Sequence, residues 1–328
     1  MDHRDPSSGL RGGQMMSSNL PKMGFPYDEM KLTTLFSHPA YRDGDIVVDC
    51  ESVRKVLGEP FRFQGHELLR PFIYNSVVTS IDGKIAFLDA PEGPLIASKN
   101  HYDPTGALTD WWLLNLLRSS ADAILFGANT LRSEPTATGH IYDQTLEDAR
   151  IAKGLSPVPI NVIPTLDGTD IPFDHKEFAC GEIPVVFYTV LNALDRLKEH
   201  FPDMVVLGPY GSPDEVTFDD FVVDPAQKYA MICGHGHLPD PHIAMRMLHK
   251  MGIKRLLVES PMMTHLFLEE RLMDELFINI SCLYVGGDAL SIGKRGNSFT
   301  SKVHPHTELI HLSMHSPHFM YTRHRLME

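Results

Sequence analysis

Basic residues are in short supply: 29 lysines and arginines face 42 aspartates and glutamates in 328 residues, a net charge of −13 with histidine neutral. A surface that acidic repels phosphate backbones and anionic headgroups, which argues against nucleic acid or a membrane as main partner. Cysteine is scarcer still. Cys50, Cys180, Cys233 and Cys282 stand far apart with no C-x-x-C pair, so neither a disulfide framework nor a four-thiolate zinc site is expected. No uncharged apolar run approaches the roughly 18 residues of a membrane span, and Met1 to Pro26 lack the apolar core of a signal peptide. These absences lead us to expect a soluble protein in a reducing, cytoplasmic compartment. What is there, 43% hydrophobic and 22% charged residues, is the composition of a folded globular chain.

Residues 1–26 are rich in Ser, Gly and Pro without periodic hydrophobicity and are expected to be flexible. Residues 27–69 carry Leu32, Leu35, Phe36, Ile46, Val47 and Val48, then Val53, Val56 and Leu57 at helical spacing, and read as an extension packed on a main domain of residues 70–328. From Pro71 short β-branched or apolar runs alternate with helical patterns. Strands are predicted at 72–79, 123–127, 160–163, 185–188, 205–207, 256–259 and 276–283, with helices at 109–120, 242–251 and 263–272. That order predicts an α/β fold, a mostly parallel sheet flanked by helices. Two last runs, 309–314 and 319–325, are joined by Ser316-Pro317 and read as an antiparallel hairpin at the sheet edge. The connection from Ser133 to Pro159, with one helical piece near Leu146 to Ala152, is long enough to be functional and to border a site.

Four short stretches could carry chemistry. Ser80-Ile81-Asp82-Gly83 follows the first main strand and by itself reads as a strand-ending turn. In Ala123-Ile-Leu-Phe-Gly127-Ala-Asn129-Thr130-Leu-Arg132 a buried strand ends in glycine at a helix start. Unpaired N–H groups there suit a dinucleotide pyrophosphate, and an ordinary βα turn has the same pattern. Leu256-Leu-Val-Glu259-Ser260-Pro261 again feeds a strand into a helix, now through a carboxylate and a helix-starting proline. Met273-Asp274-Glu275-Leu276 leads through a strand to Val285-Gly286-Gly287, a second place of close backbone approach.

In this order the blocks resemble the reductase domain of the bifunctional riboflavin-biosynthesis deaminase/reductase, a dihydrofolate-reductase-like fold that uses NADPH to reduce a phosphoribosylamino-pyrimidine. The resemblance covers residues 71 to about 290, and its most specific piece is Arg118-x-x-Ala-Asp-Ala-Ile-Leu-x-Gly127-x-x-Thr130-x-Arg132. It implies a cofactor site of Ser80, Gly127, Asn129, Thr130, Ser260, Pro261, Met262 and Gly287, with Thr130 at the pyrophosphate and Ser80 and Asp82 beside the nicotinamide. It implies substrate contacts from Arg118 and Glu259, proton delivery by Glu259 or Asp82, and a homodimer acting on a small molecule. On its own sequence context Arg118, ending an apolar helix, could equally cap carbonyls.

The chain departs from the pattern twice. Where the family usually has Glu-Gly-Gly-Pro-Thr, this sequence reads Glu259-Ser260-Pro261-Met262-Met263, which adds bulk and removes a donor where backbone should meet pyrophosphate. Where the family supplies an arginine for the substrate phosphate, His140 is the nearest residue, and a neutral imidazole does not replace a bidentate guanidinium. Altered cofactor affinity and poor use of a phosphorylated substrate are therefore expected, and a non-catalytic relative with a decayed cofactor loop is the rival reading. His175-Lys176-Glu177 lacks the Pro-Cys-x-x-Cys that would complete a deaminase zinc site. The pairs His235/His237 and His304/His306 read as loop and edge residues, so no metal site is expected.

Overall fold

Residues that alternate β-branched and aromatic side chains pair along one long sheet, because each run is short, apolar and bounded by a turn. The computed structural model describes residues 16–65, 68–218, 221–293 and 296–327. Its strands are β1 (Thr33–Ser37), β2 (Asp45–Val48), β3 (Phe61–Phe63), β4 (Phe72–Ser80), β5 (Ala123–Leu125), β6 (Ile160–Pro164), β7 (Val185–Thr189), β8 (Val205–Tyr210), β9 (Lys228–Cys233), β10 (Arg255–Val258), β11 (Glu275–Ser281), β12 (His306–Ser316) and β13 (Phe319–Met327). The helices are α1 (Pro39–Arg42), α2 (Glu51–Leu57), α3 (Leu95–Ser98), α4 (Pro104–Ser120), α5 (Ala128–Ser133), α6 (Gln144–Ala152), α7 (Lys176–Ala179), α8 (Leu194–His200), α9 (Pro241–Lys250) and α10 (Pro261–Glu269).

The main sheet runs β1-β12-β13-β11-β4-β10-β5-β6-β7-β9-β8. From β11 to β8 every neighbouring pair is parallel, while β13, β12 and β1 add an antiparallel edge. This is the dihydrofolate-reductase-like α/β arrangement with its closing hairpin. Helices cover both faces, as a parallel sheet requires. One apolar layer gathers Trp112, Leu116 and Phe187, and the other gathers Met245, Met247 and Phe267. Strand β9 was missed from sequence, since Ala230 and Met231 dilute its β-branched signal, yet all six of its residues are buried.

Helix α4 carries most of the site and starts where its sequence says it should. Asp103 accepts from the Gly106 N–H at 2.7 Å, and Pro104 occupies the first turn. Any Cβ at position 106 would run into the Asp103 carboxylate, so glycine is required there. The indole N–H of fully buried Trp112 donates to Asp143 at 2.9 Å and ties α4 to the start of α6.

The extension contributes β1 to the main sheet and the small β2–β3 pair. Residues 1–15 of the segment expected to be flexible lie outside the described residues. Residues 16–26 make contacts with the main body. Ser18 donates through N and Oγ to Glu147 at 2.8 and 2.9 Å, Lys22 Nζ donates to Glu147 and to the Ile141 carbonyl, Met23 N donates to the Tyr142 carbonyl, and Phe25 is buried. The reason is a buried carboxylate: Glu147 is fully enclosed and needs the donors that this strap supplies.

Candidate functional site

Parallel strands β5 and β10 lie side by side, so the turns after them open together at the carboxyl end of the sheet, where α/β folds bind ligands. A cleft of about 1020 Å³ lies there, bounded by these turns, by one face of α4 and by the loop after α5. Its volume is ample for a dinucleotide and a small substrate together.

Gly127, Asn129 and Thr130 of the first turn and Ser260, Pro261 and Met262 of the second all line the cleft. A Cβ at Gly127 would sit 3.7 Å from Ser260 Oγ, so the two turns nearly touch. The N–H groups of Ala128 and Asn129 have no acceptor among the described residues, and Thr130 Oγ1 makes no hydrogen bond there. Ser260 is less available, because its Oγ accepts from Met263 N at 3.4 Å to cap α10.

Arg118 and Glu259 meet across the cleft wall. The guanidinium donates through Nε and Nη2 to the two carboxylate oxygens, both at 2.7 Å, and through Nη1 to the carbonyls of Thr138 and His140. Burial works against the Arg118 charge, but the carboxylate outweighs it and raises the guanidinium pKa. The ring of Trp111 lies 5.7 Å from the same guanidinium. Arg118 thus lines the cleft and anchors the 138–140 loop, and the carbonyls it takes belong to that loop rather than to the end of its own helix.

Ser80, Asp82 and Gly287 are not among the residues lining the cleft; they form an adjoining turn whose neighbours Ile85 and Leu290 reach it. Ser80 Oγ donates to Asp82 at 2.6 Å, and the Val285 and Gly286 N–H groups donate to the same carboxylate. Desolvation pushes the Asp82 pKa up, yet these hydrogen bonds outweigh it and leave the group lowered, at about 2. A carboxylate held that firmly in its charged form clamps two loops and is a poor proton donor. Lys84 Nζ donates to the Gly287 carbonyl at 2.9 Å, which closes the same turn.

His140 is placed differently from the sequence expectation. It is fully buried behind the wall, with Nε2 2.8 Å from the Pro21 carbonyl, Nδ1 2.7 Å from Thr138 Oγ1 and its ring against Tyr142. Burial lowers its pKa to about 4, so it is neutral and turned away from the cleft. It cannot take the place of a phosphate-binding arginine.

Asp110, Arg132, Glu134 and Asp170 also line the cleft, and sequence reading did not single them out for it. A signal existed for Asp110, the lone charge between Gly106 and Leu117 on α4. Arg132 lies on α5 and closes the motif that begins at Arg118, while Glu134 and Asp170 lie on irregular loops with no pattern to find. Among the described residues no three His, Cys, Asp or Glu side chains group as metal ligands, and no helix is long and apolar enough to cross a membrane.

A mostly parallel sheet with an antiparallel hairpin, and a cleft over adjacent βα turns, define a dihydrofolate-reductase-like fold. The chain matches the RibD C-terminal domain over residues 71–316 and belongs to that family. Among solved structures it is similar to a pyrimidine reductase-like protein from Corynebacterium diphtheriae, with TM-score 0.57 and 20% identity over 79% of this chain and 92% of that one. RibD from Acinetobacter baumannii gives TM-score 0.51 and 16% identity over 79% of this chain and 59% of its own. A deaminase/reductase from Thermotoga maritima gives TM-score 0.50 and 17% identity, with 78% and 56% covered. The chain thus spans little more than half of the last two proteins, and these likenesses show the fold. No curated protein matches the sequence.

Proposed function

We infer that the protein is an NADPH-dependent reductase acting on a small molecule related to a ribosylamino-pyrimidine, in the cytoplasm and as a homodimer. The observation that carries the reading is the meeting of the Gly127–Thr130 and Ser260–Met262 turns at the mouth of one cleft. The Ala128 and Asn129 N–H groups and the Thr130 hydroxyl, without partners among the described residues, fit one side of a pyrophosphate. Pro261, which has no N–H, and the capping role of Ser260 fit the other side less well, so affinity is expected to be modest.

When bound, the reduced nicotinamide supplies a hydride to an electrophilic carbon such as an imine. The chain's part is to orient the two reactants and exclude water, a task for the apolar wall of Trp111, Leu114 and Phe126. Of the two carboxylates considered for proton delivery, Glu259 is the one that lies in the cleft wall, where Arg118 fixes its orientation. Among the described residues no lysine lines the cleft, Arg118 is committed to Glu259, and Arg132 donates only to neutral oxygens, so a substrate phosphate would find one available cation there.

Calorimetry with NADPH tests the reading. Binding in the micromolar range is expected, and Thr130→Val should weaken it by about tenfold, the effect of one hydrogen bond to a charged group. No heat at millimolar NADPH would leave the non-catalytic relative, which the Pro261 turn favours, as the better account.

A further inference from the structure

We propose that Asp110 anchors the substrate by accepting hydrogen bonds from a cationic, amidine-like N–H edge. The proposal deepens the reductase reading and rests on the cleft being its substrate site.

Asp110 sits on the face of α4 that also presents Ala107, Trp111, Leu114 and Arg118 to the cleft. Residues spaced by three and four positions share one side of a helix, so its carboxylate emerges between apolar neighbours. Asn279 on β11 donates to Oδ1 at 2.7 Å. Oδ2 has no partner among the described residues, and the side chain lines open space rather than packed core. A carboxylate in an apolar wall with one oxygen fixed and one unused is costly unless a donor arrives.

Among the described residues no cationic side chain donates to Asp110. Arg118 is spent on Glu259 and two carbonyls, and Arg132 donates to Asn129 and to the Asp170 carbonyl. Asp110, Glu134, Asp170 and Glu259 outnumber those two arginines around the cleft. Of the titratable groups on neighbouring elements, Tyr321 on β13 is the one that feels the Asp110 charge, while the Asp103–His315 pair at the start of α4 and the Arg118–Glu259 pair two turns on are each closed on themselves. None is an unpaired cation. Burial accordingly raises the Asp110 pKa to about 7, with the Asn279 hydrogen bond pulling back only in part.

The complementary ligand has a flat apolar body for Trp111 and Leu114 and paired N–H donors with positive charge. Benzamidine is a minimal probe of that chemistry; benzamide removes the charge, benzoate inverts it, and ribose 5-phosphate represents an anionic substrate end. Calorimetry should show benzamidine binding at least tenfold tighter than the other three. Its affinity should rise about tenfold between pH 6 and 8 as Asp110 ionises. Asp110→Asn, which keeps the shape, should bring benzamidine down to the level of benzamide and flatten the pH profile. NADPH binding measured on the same variant should be unchanged, which separates this proposal from the cofactor reading: loss of NADPH binding by the parent protein strikes that reading alone. Tighter binding of benzoate or ribose 5-phosphate, or benzamidine affinity indifferent to Asp110→Asn, overturns the proposal.

Discussion

Buried between the Pro21 carbonyl and Thr138, the His140 imidazole has a measurable consequence for stability. Its pKa is depressed to about 4 in the folded chain, against roughly 6.5 for an exposed histidine. Between those values the unfolded chain binds the extra proton, so the stabilisation is complete above pH 6.5 and lost as pH falls toward 4. Urea titrations at pH 4.5 and 7 should differ by on the order of 2–3 kcal/mol from this residue, and His140→Gln should shrink that difference. An unchanged difference would mean that the ring is solvated. The sequence offered His140 as a ligand because it stands near a functional position, but burial is decided by Pro21, 119 residues away. Gly127, Thr130, Ser260 and Glu259 were legible for the opposite reason: strand, turn and helix are contiguous there, and a local pattern is enough to put them at one end of the sheet. Asp110 stands out locally only as the lone charge of an apolar stretch, and what ties it to the site, Asn279, is 169 positions distant.

At the scale of elements, the 133–159 connection borders the cleft as its length predicts, with Glu134, Thr138 and Gly139 in the wall. What holds it in place was not readable. The strap of residues 17–25 crosses its back, and composition alone could not show that Ser18 and Lys22 meet an enclosed Glu147. Deleting residues 1–25 removes those donors together with the Pro21 acceptor of His140 and the buried Phe25 ring. Each buried polar group left without a partner costs about 1–3 kcal/mol, less where water can enter. We therefore expect a melting temperature roughly 5–10 °C lower than that of the full chain, at about 2–4 °C per kcal/mol for a domain of this size. Deleting only residues 1–15 is the control that separates the strap from the residues before it. Equal melting of the two truncated chains would show that the strap contributes nothing.

Across the whole molecule, the mostly parallel sheet and its closing hairpin were readable from the alternation of runs, while the join between the chain's two ends was not. Strand β1 pairs with β12, and Arg323 on β13 fastens the extension from beneath. Its guanidinium donates to Glu275 at 2.6 Å and to the Arg62 carbonyl at 2.7 Å. The rings of Phe63, Phe277 and Tyr41 lie within 4.6, 4.9 and 5.1 Å of it. Nothing in the run Thr322-Arg323-His324 distinguishes this arginine from a solvent-facing one; only the register that sets Arg323 opposite Phe277 buries it. Glu275 is 1% exposed and its Oε1 has no partner among the described residues, so it depends on Arg323 for compensation. Burial raises the Glu275 pKa despite the attraction of Arg323. Arg323→Met strands that carboxylate among aromatic rings and should cost about 3–5 kcal/mol in denaturant unfolding, the range for breaking a buried ion pair from one side. Arg323→Met with Glu275→Leu removes both charges and should recover most of the loss, because paired burial of ions contributes little beyond well-packed apolar groups. A double variant no more stable than Arg323→Met would instead place the stabilisation in the guanidinium's contacts with the rings and the Arg62 carbonyl, and would make the cation, rather than the ion pair, the fastening between the extension and the sheet.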